Sequence, residues 1–233
     1  MRAARDVEFG RPTLLRPFKM KLDKKLQQGL STLHIALAPT VRARLLQFLE
    51  LLARWNRAYN LTAVREIEQM LPRHLLDSLS VLPYLRAPRV LDIGTGAGLP
   101  GIPLALARPD LDFVLIDGNA KKIRFVTQAI HELGLKNVAA VHGAVEHYQP
   151  DAPFDTLLAR AVAAIPDMLR SCRHLCAPEG AILAMKGVFP REELAGVDAA
   201  FRVRDVVRLT VPGLDAARHL VILEPAGADE RRT

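Results

Sequence analysis

One stretch of this sequence constrains its fold more than any other: Val90-Leu91-Asp92-Ile93-Gly94-Thr95-Gly96-Ala97-Gly98-Leu99-Pro100-Gly101. An apolar run carrying one acid passes straight into alternating glycines. The run has the make-up of a buried strand. The glycines allow a tight turn and a main-chain approach that a Cβ would block. Loops of this kind lie at the carboxyl edge of an open α/β sheet, where such sheets bind ligands.

The rest of the chain after Pro88 agrees with that placement. Strands are expected at 89–93, 113–117, 138–141, 156–159 and 182–185. Between them fall a short helix at 103–107, a helix at 121–133 closed by Gly134, and a helix at 165–175. Strands alternating with helices predict a doubly wound α/β fold, with a parallel sheet and right-handed crossovers. The end differs: 203–211, a Pro212-Gly213 turn signal, then 219–223. Two strands with no helix between them are expected to pair antiparallel.

The first third has another character. Leucine-rich stripes, Val41, Leu45, Leu49, Leu52 and then Leu71, Leu75, Leu79, Leu82, recur at helical spacing and end at Pro83. The chain carries a net charge of +7, but residues 1–89 alone hold 16 Lys and Arg against 7 Asp and Glu, a net +9. The rest is slightly acidic. A basic helical region beside a near-neutral α/β domain fits a polyanion-docking face, although a solubilising surface explains most charge runs. The expected organisation is a disordered tail over 1–19, a basic helical region over 20–86, a sheet domain over 87–224 and a flexible tail over 225–233. The Arg-rich start carries Asp6 and Glu8, which argues against a transit peptide, and translation could begin at Met1 or Met20. No apolar run approaches the roughly 18–20 residues of a membrane span, so no membrane partner is expected. Cys172 and Cys176, four apart in an expected helix, fit neither a redox pair nor a zinc site and read as core thiols; no metal is expected.

Two ligands compete for the glycine loop. Gly96-Ala97-Gly98-Leu99-Pro100-Gly101 formally satisfies the dinucleotide pattern GxGxxG. Its register is poor, because Gly94 already follows the strand and Pro100 removes an N–H that a pyrophosphate would use. S-adenosylmethionine has no phosphate and carries a cationic methionine end, which Asp92 suits better. Asp117, at the end of the second strand, can accept from ribose hydroxyls of either ligand. The polar turn Gly143-Ala144-Val145-Glu146 follows the third strand, where adenine could lie.

Together with other stretches, this loop resembles the bacterial small-subunit ribosomal RNA guanine-N7 methyltransferases, also called glucose-inhibited division protein B. The likeness runs through Leu91 to Gly101 with Ile102-Pro103-Leu104, and through Trp55-Asn56-Arg57-Ala58-Tyr59-Asn60-Leu61-Thr62. It continues in Arg73-His74-Leu75-Leu76-Asp77-Ser78-Leu79, Arg160-Ala161, Met185-Lys186-Gly187 and Arg218-His219-Leu220, covering about residues 30–224. The resemblance implies a bacterial cytoplasmic enzyme with a Rossmann-like class I fold and a helical N-terminal extension. It also implies S-adenosylmethionine as methyl donor, and as substrate a guanine of 16S ribosomal RNA, conventionally numbered 527, alone or in the small ribosomal subunit. Carried over residue by residue, it places cofactor contacts on Gly94, Gly96, Leu99, Asp117, Gly118, Asn119, Val145, Glu146 and Arg160. Gly118-Asn119 departs from the Ser or Ala usual there.

Guanine N7 has a lone pair and no proton, so no general base is expected and alignment should carry catalysis. Arg160 is the expected positioning residue, with a structural ion pair as its alternative. RNA contacts are expected at Arg42, Arg54, Asn56, Arg57, Asn60, His74 and Lys186. Asn56 and Asn60 could equally cap a helix end, and His74 could be a bonded core histidine. Trp55 reads as core. The other functions open to such a chain are methylation of another RNA base or small molecule, a nicotinamide-dependent oxidoreductase, and a non-catalytic RNA-binding assembly factor. A monomer is expected.

Overall fold

The computed structural model describes residues 16–227, so most of both expected tails, and the choice between Met1 and Met20 as start, lie outside the described residues. Where the tails overlap the structure, the chain is regular. Helix α1 (Arg16–Thr32) begins inside the stretch expected to be disordered, because Leu22, Leu26 and Leu30 repeat every fourth residue and bury one face. Helix α2 (Pro39–Tyr59) follows, ended by Asn60 in the left-handed conformation at φ 51°. Then come α3 (Ile67–Met70), a π-helical turn (Leu71–Leu76) and α4 (Asp77–Leu79). The expected stripe Leu71, Leu75, Leu79 is buried, but the helix that carries it is widened across Pro72.

The remainder alternates as expected: β1 (Arg89–Ile93), α5 (Gly101–Ala107), β2 (Asp112–Asp117), α6 (Ala120–Leu133), β3 (Val138–His142), β4 (Phe154–Arg160), α7 (Ile165–Cys172), β5 (Cys176–Lys186), α8 (Arg191–Ala195), β6 (Phe201–Arg208) and β7 (His219–Pro225). The seven strands lie in the order β3-β2-β1-β4-β5-β7-β6. The first five are parallel, and β7 slots antiparallel between β5 and β6. That inserted hairpin strand separates this sheet from a dinucleotide-binding sheet, whose order is 3-2-1-4-5-6.

One expectation needs correcting. Cys176 opens β5 and is not in the helix that ends with Cys172; the Pro178-Glu179-Gly180 turn signal concealed the first half of that strand. Burial pushes both thiols up to about 12, which leaves them unreactive at neutral pH. The helical region packs onto the sheet. Leu22, Leu26, Leu45, Leu49 and Leu75 share one core with Ile102, Phe113, Phe125, Leu158 and Leu183, so α1–α4 join α5 and α6 in covering one sheet face. Helix α7 covers the other through Ile165, Met168 and Leu169 against Leu91, Ile93, Leu157 and Ile182.

Candidate active site

The carboxyl ends of β2, β1, β4 and β5 stand side by side, and the expected residues gather there. Asp92 turns its side chain under the glycine loop. Its Oδ2 accepts from the Thr95 hydroxyl at 2.6 Å and from the Gly101 N–H at 2.9 Å. A Cβ at Gly101 would stand 2.7 Å from that oxygen, so only glycine permits the approach. Above it Gly94, Gly96 and Gly98 take φ of 60°, 58° and 74°, which side chains with a Cβ rarely adopt. Helix α5 thus starts with its anion-binding end already filled by the protein's own carboxylate, and a pyrophosphate has no place there.

Asp92 is 0 % exposed and anchors the loop from beneath. Burial pushes its carboxyl up to about 7 against the pull of its Thr95 and Gly101 bonds, and its Oδ1 has no partner. A buried acid short of positive charge is the environment a cationic methionine end would complete.

Asp117 closes β2 as expected and is 8 % exposed. Its two oxygens accept from Gly96 N–H at 2.9 Å and Asn119 N–H at 2.8 Å, tying the loop to the next strand while leaving lone pairs for hydroxyl donors. Lys122 stands 3.8 Å away. Gly118 and Asn119 are exposed beside it, and the Asn119 side chain caps α6 by accepting from Lys121 and Lys122 N–H groups. Leu99 is buried in the loop, and Val145 and Glu146 form a short turn past β3, half-buried and exposed respectively.

Arg160 ends β4 and is held on both sides. Its Nε lies 3.0 Å from Asp77 Oδ2, and its Nη2 donates to the Arg73 carbonyl at 2.8 Å. The other oxygen of Asp77 accepts from Arg218 Nε at 2.9 Å. One buried carboxylate therefore clasps two guanidiniums, from the strand ends of β4 and β7, onto α4. Arg160 uses two of its five N–H groups in this way, the contacts of a structural ion pair. The next residue, Ala161, sits at φ 53°, a strained conformation at the lip of the site. His74 is buried beside this clasp and bonded to the Thr62 hydroxyl at 3.0 Å. Burial and the nearby Arg160 charge lower its pKa to about 4, so the ring is neutral. The sequence carried both arginine segments and Asp77 but no sign that they meet, because the contact joins positions 141 apart.

Several expected RNA contacts are committed to the protein itself. Asn56, 1 % exposed, donates to Val64 carbonyl and accepts from Thr62 N–H, pinning the loop after α2. Asn60 ends α2 through its main-chain N–H, donated to the Asn56 carbonyl, while its side chain accepts from Arg65. Arg42 pairs with Asp23, and Arg54 binds both oxygens of Glu132. Lys186 pairs with Glu193 at 2.7 Å and donates to the Ala163 carbonyl. Arg57 and Arg73 remain exposed cations on the helical region. Trp55 packs into the core against Tyr59 and Phe125.

An antiparallel seventh strand, a helix N-terminus filled by a carboxylate and an acid at the end of β2 define a class I S-adenosylmethionine-dependent methyltransferase. The comparisons with known proteins narrow this. The family model described as rRNA small subunit methyltransferase G matches residues 42–221. The ribosomal RNA small subunit methyltransferase G of Shewanella amazonensis is 50 % identical over 205 residues, spanning 88 % of this chain and 100 % of that protein. Its counterpart in Nitrosococcus oceani is 49 % identical over 205 residues, spanning 88 % and 96 %. A solved S-adenosylmethionine-dependent methyltransferase from Aquifex aeolicus shares the fold, with a TM-score of 0.51 at 20 % identity over 66 % of this chain and 92 % of that one. The chain belongs to the rRNA small subunit methyltransferase G family. No helix among the described residues is long and apolar enough to cross a membrane.

Proposed function

We propose that this chain transfers a methyl group from S-adenosylmethionine to N7 of a guanine in small-subunit ribosomal RNA, the position conventionally numbered 527. The bound donor would supply an electrophilic methyl on a sulfonium. Gly94, Gly96 and Leu99 would hold it along the loop, Asp117 at its ribose, and Val145 and Glu146 beside its adenine. Asp92 would act through the loop, balancing the cationic end.

The family match over residues 42–221 supports the choice of N7, and the state of His74 agrees with it. This histidine lies in the charge field of Arg160, yet its pKa of about 4 and its bond to Thr62 make it a poor proton acceptor at neutral pH. An acceptor that loses no proton before transfer suits such a site. Arg160, fixed by Asp77 and the Arg73 carbonyl, would hold base and donor in line. Arg57 and Arg73 would meet phosphates. The test is transfer from labelled S-adenosylmethionine to small-subunit RNA, followed by nucleoside mass spectrometry. The expected product is 7-methylguanosine, and label in any other nucleoside overturns the proposal.

A further inference from the structure

The large hydrophobic side chains exposed among the described residues are Met20, Val188, Phe189 and Val203. Two of these are consecutive, and their place is informative. Val188 and Phe189 follow β5 directly after Lys186 and Gly187, at the carboxyl edge of the sheet. The glycine loop and Asp117 occupy the β1–β2 part of that edge, so an acceptor must approach over β4 and β5. Val188 is 77 % exposed and Phe189 is 47 % exposed.

The segment is nonetheless held in place. His219 Nδ1 lies 2.9 Å from the Gly187 carbonyl, and the His219 ring meets Phe189 edge-on, with centroids 5.7 Å apart at 88°. Such an edge-to-face contact fixes the orientation of an exposed ring. On the far side Lys186 is tied to Glu193, whose Oε2 also accepts from Ile165 N–H at 2.7 Å. Arg218, next in sequence to His219, reaches back to Asp77 and so to Arg160. An oriented aromatic face beside a guanidinium clasp has the two parts of a site for an unstacked nucleobase: a π surface and cations for the flanking phosphates.

We propose that Phe189, braced by His219 and flanked by Val188, is the platform on which the target guanine stacks when it is presented to the methyl donor. This rests on the reading that the acceptor is an RNA guanine. The ring fixes the tilt of the base, while Arg160 addresses its edge. Phe189 is thus a contact and specificity residue for the acceptor and has no part in holding the donor.

The experiment uses the full chain with Phe189→Ala, Phe189→Tyr and Phe189→Trp, on both small-subunit RNA and assembled small subunits. Formation of 7-methylguanosine by the parent protein is checked first, and its failure would sink the function and not the platform. Given that product, Phe189→Ala should lower kcat/KM for RNA about tenfold, the lower part of the range for loss of one base–aromatic stack. Tyr and Trp should restore it, and cofactor affinity by calorimetry and the unfolding midpoint should stay at parental values. With 2-aminopurine in place of the target guanine, the parent should quench its fluorescence and Phe189→Ala should not. Parental kcat/KM for Phe189→Ala on both substrates overturns the proposal. So does a loss confined to assembled subunits, which would mean that the patch meets a ribosomal protein.

Discussion

The donor and acceptor halves of the catalytic edge are built by different means. On the donor side, β1, β2 and the glycine loop are held by main-chain N–H groups bonding two carboxylates, Asp92 and Asp117, within a few residues of one another or across adjacent parallel strands. On the acceptor side, side-chain charges do the holding: Arg160, Arg218 and Asp77, with Lys186 and Glu193 alongside. The donor half is therefore set by backbone conformation and tolerates only glycine at its turns. The acceptor half is set by partners far apart in sequence, and its geometry depends on charge balance.

The largest effect that should separate the halves is at Asp77. Asp77→Ala leaves two partly buried guanidiniums without their shared counter-charge, and breaking such a cluster costs about 3–5 kcal/mol. Urea denaturation should show that loss together with impaired methylation. An unchanged unfolding midpoint would mean that the arginines rest on other supports. On the donor side, Asp117→Ala removes a charged acceptor for ribose hydroxyls, worth on the order of 2–4 kcal/mol in cofactor binding. Calorimetry should detect this while RNA affinity holds at the parental value. A mutant that weakened both ligands equally would erase the division between halves.

Acid sharpens the comparison further. His74 has a folded pKa of about 4 against 6.5 unfolded, so the unfolded chain binds the proton more readily between those values. Stability should fall as pH drops through that window, by on the order of 3 kcal/mol in full. His74→Gln should flatten the slope. Asp92, raised to about 7, works the opposite way: its contribution is lost as pH rises from about 4 to 7. At saturating ligands the single-turnover rate should vary little between about pH 6.5 and 8.5. A tenfold rise per pH unit would reveal a general base and an acceptor other than N7. The smallest effect expected is that of Arg57→Gln, which should lower the log–log salt slope of RNA binding by about 0.7–0.9. Arg42→Gln and Arg54→Gln should leave that slope alone, since Asp23 and Glu132 already neutralise those cations.

What was legible in the sequence follows the same division. Asp92, the loop glycines and Asp117 could be read because each sits at a strand end whose apolar pattern is plain. Their bonds within the loop could not, such as those Asp92 accepts from Thr95 and Gly101 beneath it. The basic region was correctly seen as helical. Part of its charge is answered inside the fold, by Asp23 for Arg42 and by Glu132 of α6 for Arg54, and a count along the chain does not see those partners. Asn56 showed its helical spacing but not the loop that folds back over it. Asp77 lies within the Arg73–Leu79 stretch that resembles the family, yet its ion pair with Arg218 spans 141 positions and leaves no local pattern. Phe189 was hidden by its place in a loop, where a lone aromatic carries no periodicity.

The reach from Asp77 to Arg218 has a consequence for how the protein is born. Residue 77 leaves the ribosome long before residue 218 does, and the Arg–Asp–Arg cluster cannot close until the last strand is delivered. The hydrogen bonds of the donor loop, by contrast, need nothing later than Asn119. A nascent or truncated chain would then be able to set that loop while lacking the Arg–Asp–Arg cluster. Completion of synthesis becomes, in effect, the step that locks the strand ends onto α4.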